Sequence, residues 1–329
     1  MAVSQPQVLS GRAPRLVVTG GAAAALLLLF LVGGDAAAPV DTFVLIFVSI
    51  VIEALPFILL GALVSAVIEV YVPERAFSRL AGLPVGLQLP AAAMGGFAFP
   101  VCECGSVPVA RRLIARGLHP SAGLAFMLAS PILNPVVLAS TFIAYNGRGL
   151  AWQMVGGRAA LGLVLALIAG WALGGDRASD LLRPTPDDVS THLPPTQRRV
   201  ALVDHLSHDF FYMARFVVVG AALAAVMQTV IPQSIVGGLA TTPLVGTLAL
   251  MAIAFVLSLC SEADAFVAVS FTPFPLGSQL AFLVFGPVVD AKLAFLYGAT
   301  FRRRFVLRLV SVAVPVVLAG SLWFEALIR

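Results

Sequence analysis

The thiols of the chain, and several of its carboxylates, are concentrated in two apolar segments. The first segment is GGFAFPVCECGSVP, and the second is AFVLSLCSEADAF. Their reactive side chains are Cys102, Glu103, Cys104, Cys260, Glu262 and Asp264, which include every cysteine of the chain. Thiols and carboxylates are costly to place inside a membrane, so they usually mark a pathway for a solute or ion. The two segments therefore predict one shared site that contacts something crossing the membrane.

Cys102, Cys104 and Cys260 are candidate contacts for a soft solute. Thiolates favour trivalent arsenic, Cu(I), Zn²⁺ and similar species over hard cations, so the three cysteines are also candidate metal ligands. The alternative is that small, weakly polar cysteines simply pack well in a helical membrane core.

Glu103, Glu262 and Asp264 are less easily explained by packing. A carboxylate inside the membrane must be protonated, paired or exposed to water, which suits a carrier that loads and releases a proton. Alternatively, Glu103 or Glu262 caps the N-terminus of a half-helix, where free backbone N–H groups attract a negative charge.

Asn134, Asp290 and Lys292 are the other candidate contacts for a solute. Lys292 is the only lysine of the chain and follows Asp290 by two residues. Residues two apart on a regular helix point in different directions, so a direct pair requires a break near Pro287. Lys292 is then a counter-ion for Asp264 or Asp290; otherwise its ammonium extends to the membrane surface. Asn134 lies in SPILNP and either contacts the solute or satisfies backbone groups freed by the prolines.

The composition predicts an all-α polytopic membrane protein. Hydrophobic residues make up 60% of the chain and charged residues 11%, and apolar stretches long enough to span a bilayer recur along it. The first predicted span is Leu16 to Val32, with a signal sequence as the alternative. The second is Thr42 to Tyr71, interrupted by Pro56 and carrying Glu53, which we expect to pair with Arg158.

Two of the later segments are predicted to be broken. Leu87 to Leu113 contains Pro100, Gly105 and Pro108, which disfavour a continuous helix, and Leu244 to Pro275 is its counterpart. Further spans are expected at Ala122 to Tyr145, Leu150 to Leu173, Phe210 to Ile231, Leu280 to Thr300 and Phe305 to Leu327.

The two halves of the chain repeat each other. Gly61 matches Gly220 at a separation of 159 residues, and Cys102 matches Cys260 at 158. The predicted organisation is an N-terminal segment with the first helix (1–38), repeat 1 (39–174), a polar cytoplasmic linker without a fold of its own (175–207) and repeat 2 (208–329). If both broken segments are re-entrant, the arginine-rich loops all face the cytoplasm, and the two repeats are inverted relative to each other.

Three motifs together resemble the predicted-permease family that includes the ArsP-type organoarsenical efflux permeases. They are FPVCECGSVPVARRLIARG, SPILNP and FGPVVDAK. The resemblance covers the chain from Asp41 onward. It implies a multi-pass permease of the bacterial inner membrane, in a family whose characterised members export trivalent organoarsenicals by means of cysteine thiols.

The expected function is secondary transport, in the direction of efflux, of a soft metal, a metalloid or a thiol-reactive solute by alternating access. The expected partners are the lipid bilayer, the small solute and a possible second membrane or periplasmic subunit. No nucleic-acid partner, cofactor or enzymatic activity is expected. Two alternatives remain open: a membrane thiol-disulfide oxidoreductase that uses the three cysteines, and a membrane subunit of a two-component transporter.

Overall fold

The fold is all-α and polytopic, as the composition predicts. A computed structural model describes residues 37–71, 82–98, 101–175, 178–183, 198–230, 242–302 and 304–328. In these ranges there is no strand, only an isolated bridge between Leu182 and Phe301. Five helical segments are long and apolar enough to cross a membrane. The span expected at Leu16 to Val32 lies outside the described residues.

The helices are α1 (Ala37–Tyr71), α2 (Val85–Ala98), α3 (Glu103–Ala115), α4 (Pro120–Leu133), α5 (Pro135–Asn146), α6 (Ala151–Leu173), α7 (Ala178–Leu181), α8 (Arg198–Val230), α9 (Pro243–Leu257), α10 (Asp264–Ala268), α11 (Leu276–Phe285), α12 (Ala291–Thr300) and α13 (Arg304–Ile328).

The interruption predicted at Pro56 is wrong, whereas the segment Leu87 to Leu113 is divided beside the cysteines, as predicted. Helix α1 continues through Pro56, and α3 continues through Gly105 and Pro108. Membrane helices tolerate proline because neighbouring groups satisfy the backbone carbonyl that the ring leaves free. The first broken segment is instead interrupted just before Glu103, where Cys102 has extended backbone dihedrals (φ −73°, ψ 177°). Pro100 lies outside the described residues.

Two of the other predicted spans are each divided into two helices. The division lies at Asn134 between α4 and α5, and at 286–290 between α11 and α12. In both places a side-chain oxygen caps the second helix: Asn134 Oδ1 accepts from Val136 N at 2.9 Å, and Asp290 Oδ1 accepts from Leu293 N at 2.6 Å. The break near Pro287 is the condition under which Lys292 and Asp290 can approach each other.

The linker expected to lack a fold is partly helical. Helix α8 begins at Arg198, within the range predicted as a loop, and the short helix α7 lies at its other end. The buried Ala201 shows that the early part of α8 packs against the protein, which favours helix over loop. Residues 184–197 lie outside the described residues.

The packing of the helices repeats between the halves. Helix α4 packs against α2 and α6, and α11 packs against α9 and α13 in the same way. Across the halves, α1 packs against α8 and α6 against α13, while α3 contacts α12 and α5 contacts α10. These reciprocal contacts are those of a pseudo-twofold arrangement, which supports the predicted internal repeat.

Helices α1 and α8 run antiparallel to each other. Near the end of α1, Ser65 Oγ donates to Asp209 Oδ2, early in α8, at 2.8 Å. Further back along α1, Glu53 interacts with Lys292, and the backbone of Lys292 lies against Gly220, later in α8. Because α1 and α8 hold matching places in the two halves, their antiparallel packing supports an inverted relation between the repeats.

Helix α1 crosses α3 at a glycine in each helix, Gly61 and Gly105, so no side chain separates the two backbones. A Cβ atom placed on Gly61 would lie 2.4 Å from the Cα atom of Gly105. The backbone therefore allows only glycine at this crossing, as is common between closely packed membrane helices. The crossing fixes the position of α3, whose first residue is Glu103.

We predict that Gly61→Ala destabilises the protein by about 1–3 kcal/mol, because the added methyl group would push two backbones apart. The measurement is the apparent melting temperature of the purified protein in detergent. Gly156→Ala is the matched control, since a Cβ atom there meets no other atom within 4 Å. It should be neutral or slightly stabilising, as expected for alanine in a helix interior. Equal melting temperatures of the two variants would contradict the close crossing.

Candidate functional site

The two cysteine-containing breaks meet in the buried interior. Cys102, Cys104 and Cys260 are all free thiols with at most 5% of their surface exposed. The Cys102 thiol is within interaction distance of the thiols of both Cys104 and Cys260. The structure thus brings Cys102 and Cys260 together, as the matching positions of the two breaks predict.

Glu103 lies at the centre of this cluster and joins the two halves. Its Oε1 atom accepts from Lys292 Nζ at 2.8 Å, and its Oε2 atom accepts from Ser261 Oγ at 2.9 Å. Glu103 and Lys292 are 1% and 3% exposed, so their charges are held away from water. A buried charge requires a partner, and here each supplies it for the other.

Glu262 extends the cluster from its buried centre toward the surface. The Cys260 thiol donates to Glu262 Oε2 at 2.6 Å, and the Glu262 side chain is only partly buried. One ligand atom each from Glu103, Cys260 and Glu262 lies within 4.8 Å of the others. This is the one group of three or more potential metal-ligating side chains among the described residues.

Lys292 lies between two carboxylates and a backbone carbonyl. Besides Glu103, its ammonium donates to the Leu259 carbonyl oxygen at 3.2 Å and lies 3.6 Å from Asp290 Oδ2. Because Asp290 already caps α12 through Oδ1, its Oδ2 atom is left facing the lysine. The Lys292 ammonium is therefore fixed in the buried site and does not extend to the membrane surface.

Asp264 is paired with Arg158, and the expected pair of Arg158 with Glu53 is wrong. The two Asp264 carboxylate oxygens accept from Arg158 Nη1 and Nη2 at 2.9 and 2.7 Å, a bidentate geometry. Nη1 and Nη2 also donate to Thr141 Oγ1 and the Ser261 carbonyl. Of the two carboxylates expected as partners of Lys292, Asp290 lies beside it, whereas Asp264 is bound by Arg158, whose planar guanidinium matches a carboxylate better than an ammonium does.

Glu53 also belongs to the cluster of cysteines and carboxylates, although the sequence did not predict its place there. It lies within the candidate span Val40–Tyr71, is exposed, and interacts with the Cys260 thiol and with the charges of Lys292 and Glu103. An ionisable residue in the middle of a span is by itself a signal of function, and that signal was available from the sequence. Its partners were not, since they come from three distant parts of the chain.

Asn134 has a structural role in the described residues, because its side-chain oxygen caps α5. Asp290 caps α12 at the matching place in the second half, so the cap is common to both. Only the aspartate adds a charge beside Lys292. The two matching positions therefore differ in chemistry even though they share a backbone role.

The cluster contains more carboxylates than cationic side chains. Asp264 and Arg158 neutralise each other, which leaves one ammonium facing four carboxylates: Glu53, Glu103, Glu262 and Asp290. An excess of negative charge in a water-poor site attracts protons or cations. The arrangement can thus bind a positively charged or thiol-reactive species, or hold protons.

We predict that Arg158→Gln and Asp264→Asn each destabilise the protein by about 3–5 kcal/mol, because each leaves an unpaired charge in the interior. The double variant should be more stable than either single variant. Apparent melting temperatures in detergent measure this. If both single variants melt like the wild type, the pair does not join the two halves of the site.

Comparisons with known proteins identify the family. The profile of a family described as a predicted permease matches residues 40–325. A Bacillus subtilis (strain 168) protein named UPF0718 protein YcgR is 42% identical over 281 residues, which is 84% of this chain and 95% of that protein. A Streptococcus mutans protein named putative two-component membrane permease complex subunit is 34% identical over 272 residues, or 81% of this chain and 89% of that protein.

No solved structure matches the chain. The family matches point to a transporter rather than an enzyme and are consistent with a multi-pass protein of the bacterial inner membrane. The resemblance seen in the sequence motifs is thereby confirmed: the chain belongs to the predicted-permease family.

Proposed function

We propose that the protein is a secondary transporter that exports a soft metal, a metalloid or a thiol-reactive small solute by alternating access. The observation that carries the proposal is the buried cluster in which Cys102, Cys104 and Cys260 meet Glu103 and Glu262. Membership of the permease family supports transport, and the chemistry of the thiols supports the class of solute.

Alternating access is supported by the contacts between the halves. Glu103 in the first half bonds Lys292 and Ser261 in the second, and Arg158 bonds Asp264. A relative movement of the halves that separates Glu103 from Lys292 and Ser261 would open the buried thiols to one side of the membrane. Inverted repeats with broken helices at the site commonly move in this way.

The proposed arrangement places repeat 1 at 39–174 and repeat 2 at 208–329, in opposite orientations. The loops with Arg112, Arg116 and Arg302 would then face the cytoplasm, following the preference of arginine for that side. The polar residues between the repeats would lie on the same side.

A second proposal concerns a partner subunit. The Streptococcus mutans relative is named as a subunit of a two-component membrane permease complex, which favours a similar assembly for this chain. Helix α1 is a candidate contact for such a partner, because only 11% of its most apolar stretch is buried by the described residues. Co-purification of a second membrane protein encoded beside this chain would support the assembly.

We predict that cells producing the wild type accumulate less of one of three probes: trivalent methylarsenical, arsenite or zinc. The Cys102→Ser, Cys260→Ser double variant should lose this difference, because hydroxyl groups bind soft species poorly. The measurement is the cell-associated arsenic or zinc by mass spectrometry, normalised to the amount of protein in the membrane.

Ser311→Ala is the control, since among the described residues this exposed hydroxyl donates only to a carbonyl of its own helix. It should export like the wild type. Equal accumulation of all three probes in cells with the wild type and cells without it would contradict the proposed export. A double variant that exports like the wild type would contradict the role of the thiols.

A further inference from the structure

We infer that the transported solute is a divalent transition-metal cation of the Zn²⁺ type, held by Glu103, Cys260 and Glu262, and that Lys292 moves from Glu103 to Asp290 when the cation binds. The inference rests on the proposed function and names its substrate class. Four features of the cluster carry it: the spacing of the ligand atoms, their chemical type, the charge balance and an unused acceptor on Asp290.

The spacing of the three ligand atoms suits one small ion. They lie within 4.8 Å of one another. Zinc binds sulfur at about 2.3 Å and carboxylate oxygen at about 2.0–2.2 Å, so two of its ligands are separated by roughly 3.5–4 Å. A contraction of about 1 Å, well within rotamer adjustments of two glutamates, would complete the site. Cys102 and Glu53, which both interact with the Cys260 thiol, are placed to supply a fourth ligand.

The ligand types favour a borderline cation over trivalent arsenic. One thiol and two carboxylates form the closest group, whereas trivalent arsenic is best bound by thiolates alone. Zinc and cadmium accept sulfur and oxygen ligands together. The combination of one thiol and two carboxylates therefore favours a borderline cation among the soft metals, metalloids and thiol-reactive solutes that the cysteines indicate.

The charge balance also favours a cation. Four carboxylates face one ammonium once the Asp264–Arg158 pair is set aside. A divalent cation would offset much of this excess when the carboxylates are ionised, whereas a neutral solute would leave it to be neutralised by protons. Desolvated negative charges are costly, so the site binds a cation more favourably than a neutral molecule of the same size.

The Lys292 ammonium occupies the carboxylate of Glu103, where the cation would bind. The ammonium donates to Glu103 Oε1 at 2.8 Å, and a metal ion bound there would be repelled at short range. The lysine therefore has to leave Glu103 before that carboxylate can bind the cation fully.

Asp290 offers the lysine a second partner. Its Oδ2 atom is buried, accepts no hydrogen bond from the described residues, and lies only 3.6 Å from Lys292 Nζ. Buried carboxylate oxygens without a hydrogen bond are uncommon in folded proteins. A small side-chain movement would bring the ammonium to Asp290 and release Glu103, so that a positive charge leaves the site as the cation enters.

Glu262 is the least buried of the three proposed ligands. This side chain is only partly buried, and its Oε1 atom has no hydrogen-bond partner among the described residues although Oε2 accepts from Cys260. A carboxylate oxygen that is unpaired and close to a thiol is available to a metal ion. Glu262 would meet the cation first, with Glu103 as the deeper ligand.

The experiment is binding of Zn²⁺ and Cd²⁺ to the purified full-length protein in detergent. Isothermal titration gives the stoichiometry, and ultraviolet absorption of the cadmium–thiolate bond reports on Cys260. The wild type should bind one ion per chain. Glu262→Gln should weaken binding at least tenfold, because it replaces a charged ligand with a neutral amide.

Asp290→Asn tests the movement of Lys292. An asparagine can still cap α12 with its side-chain oxygen, as Asn134 does for α5, so the variant should fold. Because asparagine lacks the negative charge that would pair with the Lys292 ammonium, the variant should bind Zn²⁺ and Cd²⁺ at least tenfold more weakly. Asp180→Asn, at an exposed carboxylate on α7, is the control and should bind like the wild type.

Three results would contradict the inference in whole or in part. Folded wild-type protein that binds neither ion would exclude the cation site, and export of methylarsenical by the same protein would show that the proposed transport survives without it. Asp290→Asn protein that binds zinc as tightly as the wild type would exclude the transfer of Lys292. Zinc binding by a protein that exports none of the three probes would support the metal site but contradict the inference that the bound cation is the transported solute.

Discussion

The ion pair between Glu103 and Lys292 is the interaction on which the rest of the site depends. It joins the first break to the second half of the chain, and both side chains are almost completely buried. A charge in such surroundings is tolerated only with a partner of opposite sign, so each half of the chain holds a residue that it cannot accommodate alone. The halves must therefore pack against each other for either break to be stable.

The helix breaks make this pairing possible. The breaks before Glu103 and before Asp264 bring the cysteines together, and the one at 286–290 allows Lys292 to lie beside Asp290. Each break exposes backbone groups, and polar side chains satisfy several of them: Asp290 caps α12, and Ser258 Oγ accepts from Ala291 N at 3.2 Å. In a membrane protein, irregular backbone is tolerated only where it is buried in protein or lines a cavity, so the breaks and the site occupy the same place.

The two buried ion pairs differ in whether a second carboxylate lies close to the cationic side chain. Arg158 and Asp264 form a closed bidentate pair, in which both carboxylate oxygens have a donor. Lys292 instead has a bonded carboxylate on Glu103 and a second one, on Asp290, at a slightly longer distance. A pair with a spare partner can exchange at little cost, whereas a closed one cannot. The first pair is suited to holding the halves in register and the second to responding to a solute.

The sequence by itself determined the class of protein, the repeat and the location of the chemistry. Composition and span length are enough to predict the class of protein, because a bilayer permits few architectures. The thiols and carboxylates locate the chemistry, because such side chains are rare inside a membrane. The sequence also indicated that Cys102 and Cys260 belong to one site. The sequence was less informative about the positions of the helix breaks. Proline is compatible with α1 and α3 because neighbouring groups can satisfy the backbone carbonyl that its ring leaves free.

Only the tertiary structure decided which charges are paired. Arg158 lies in the first half and could have met Glu53 or Asp264; the packing of α5 against α10 brings Asp264 to it and leaves Glu53 with the cysteine cluster. Glu103 and Lys292 are 189 positions apart, and no local pattern relates them. Such pairs follow from the way distant helices pack, because an ion pair depends on distances of a few ångströms that spacing along the chain does not specify.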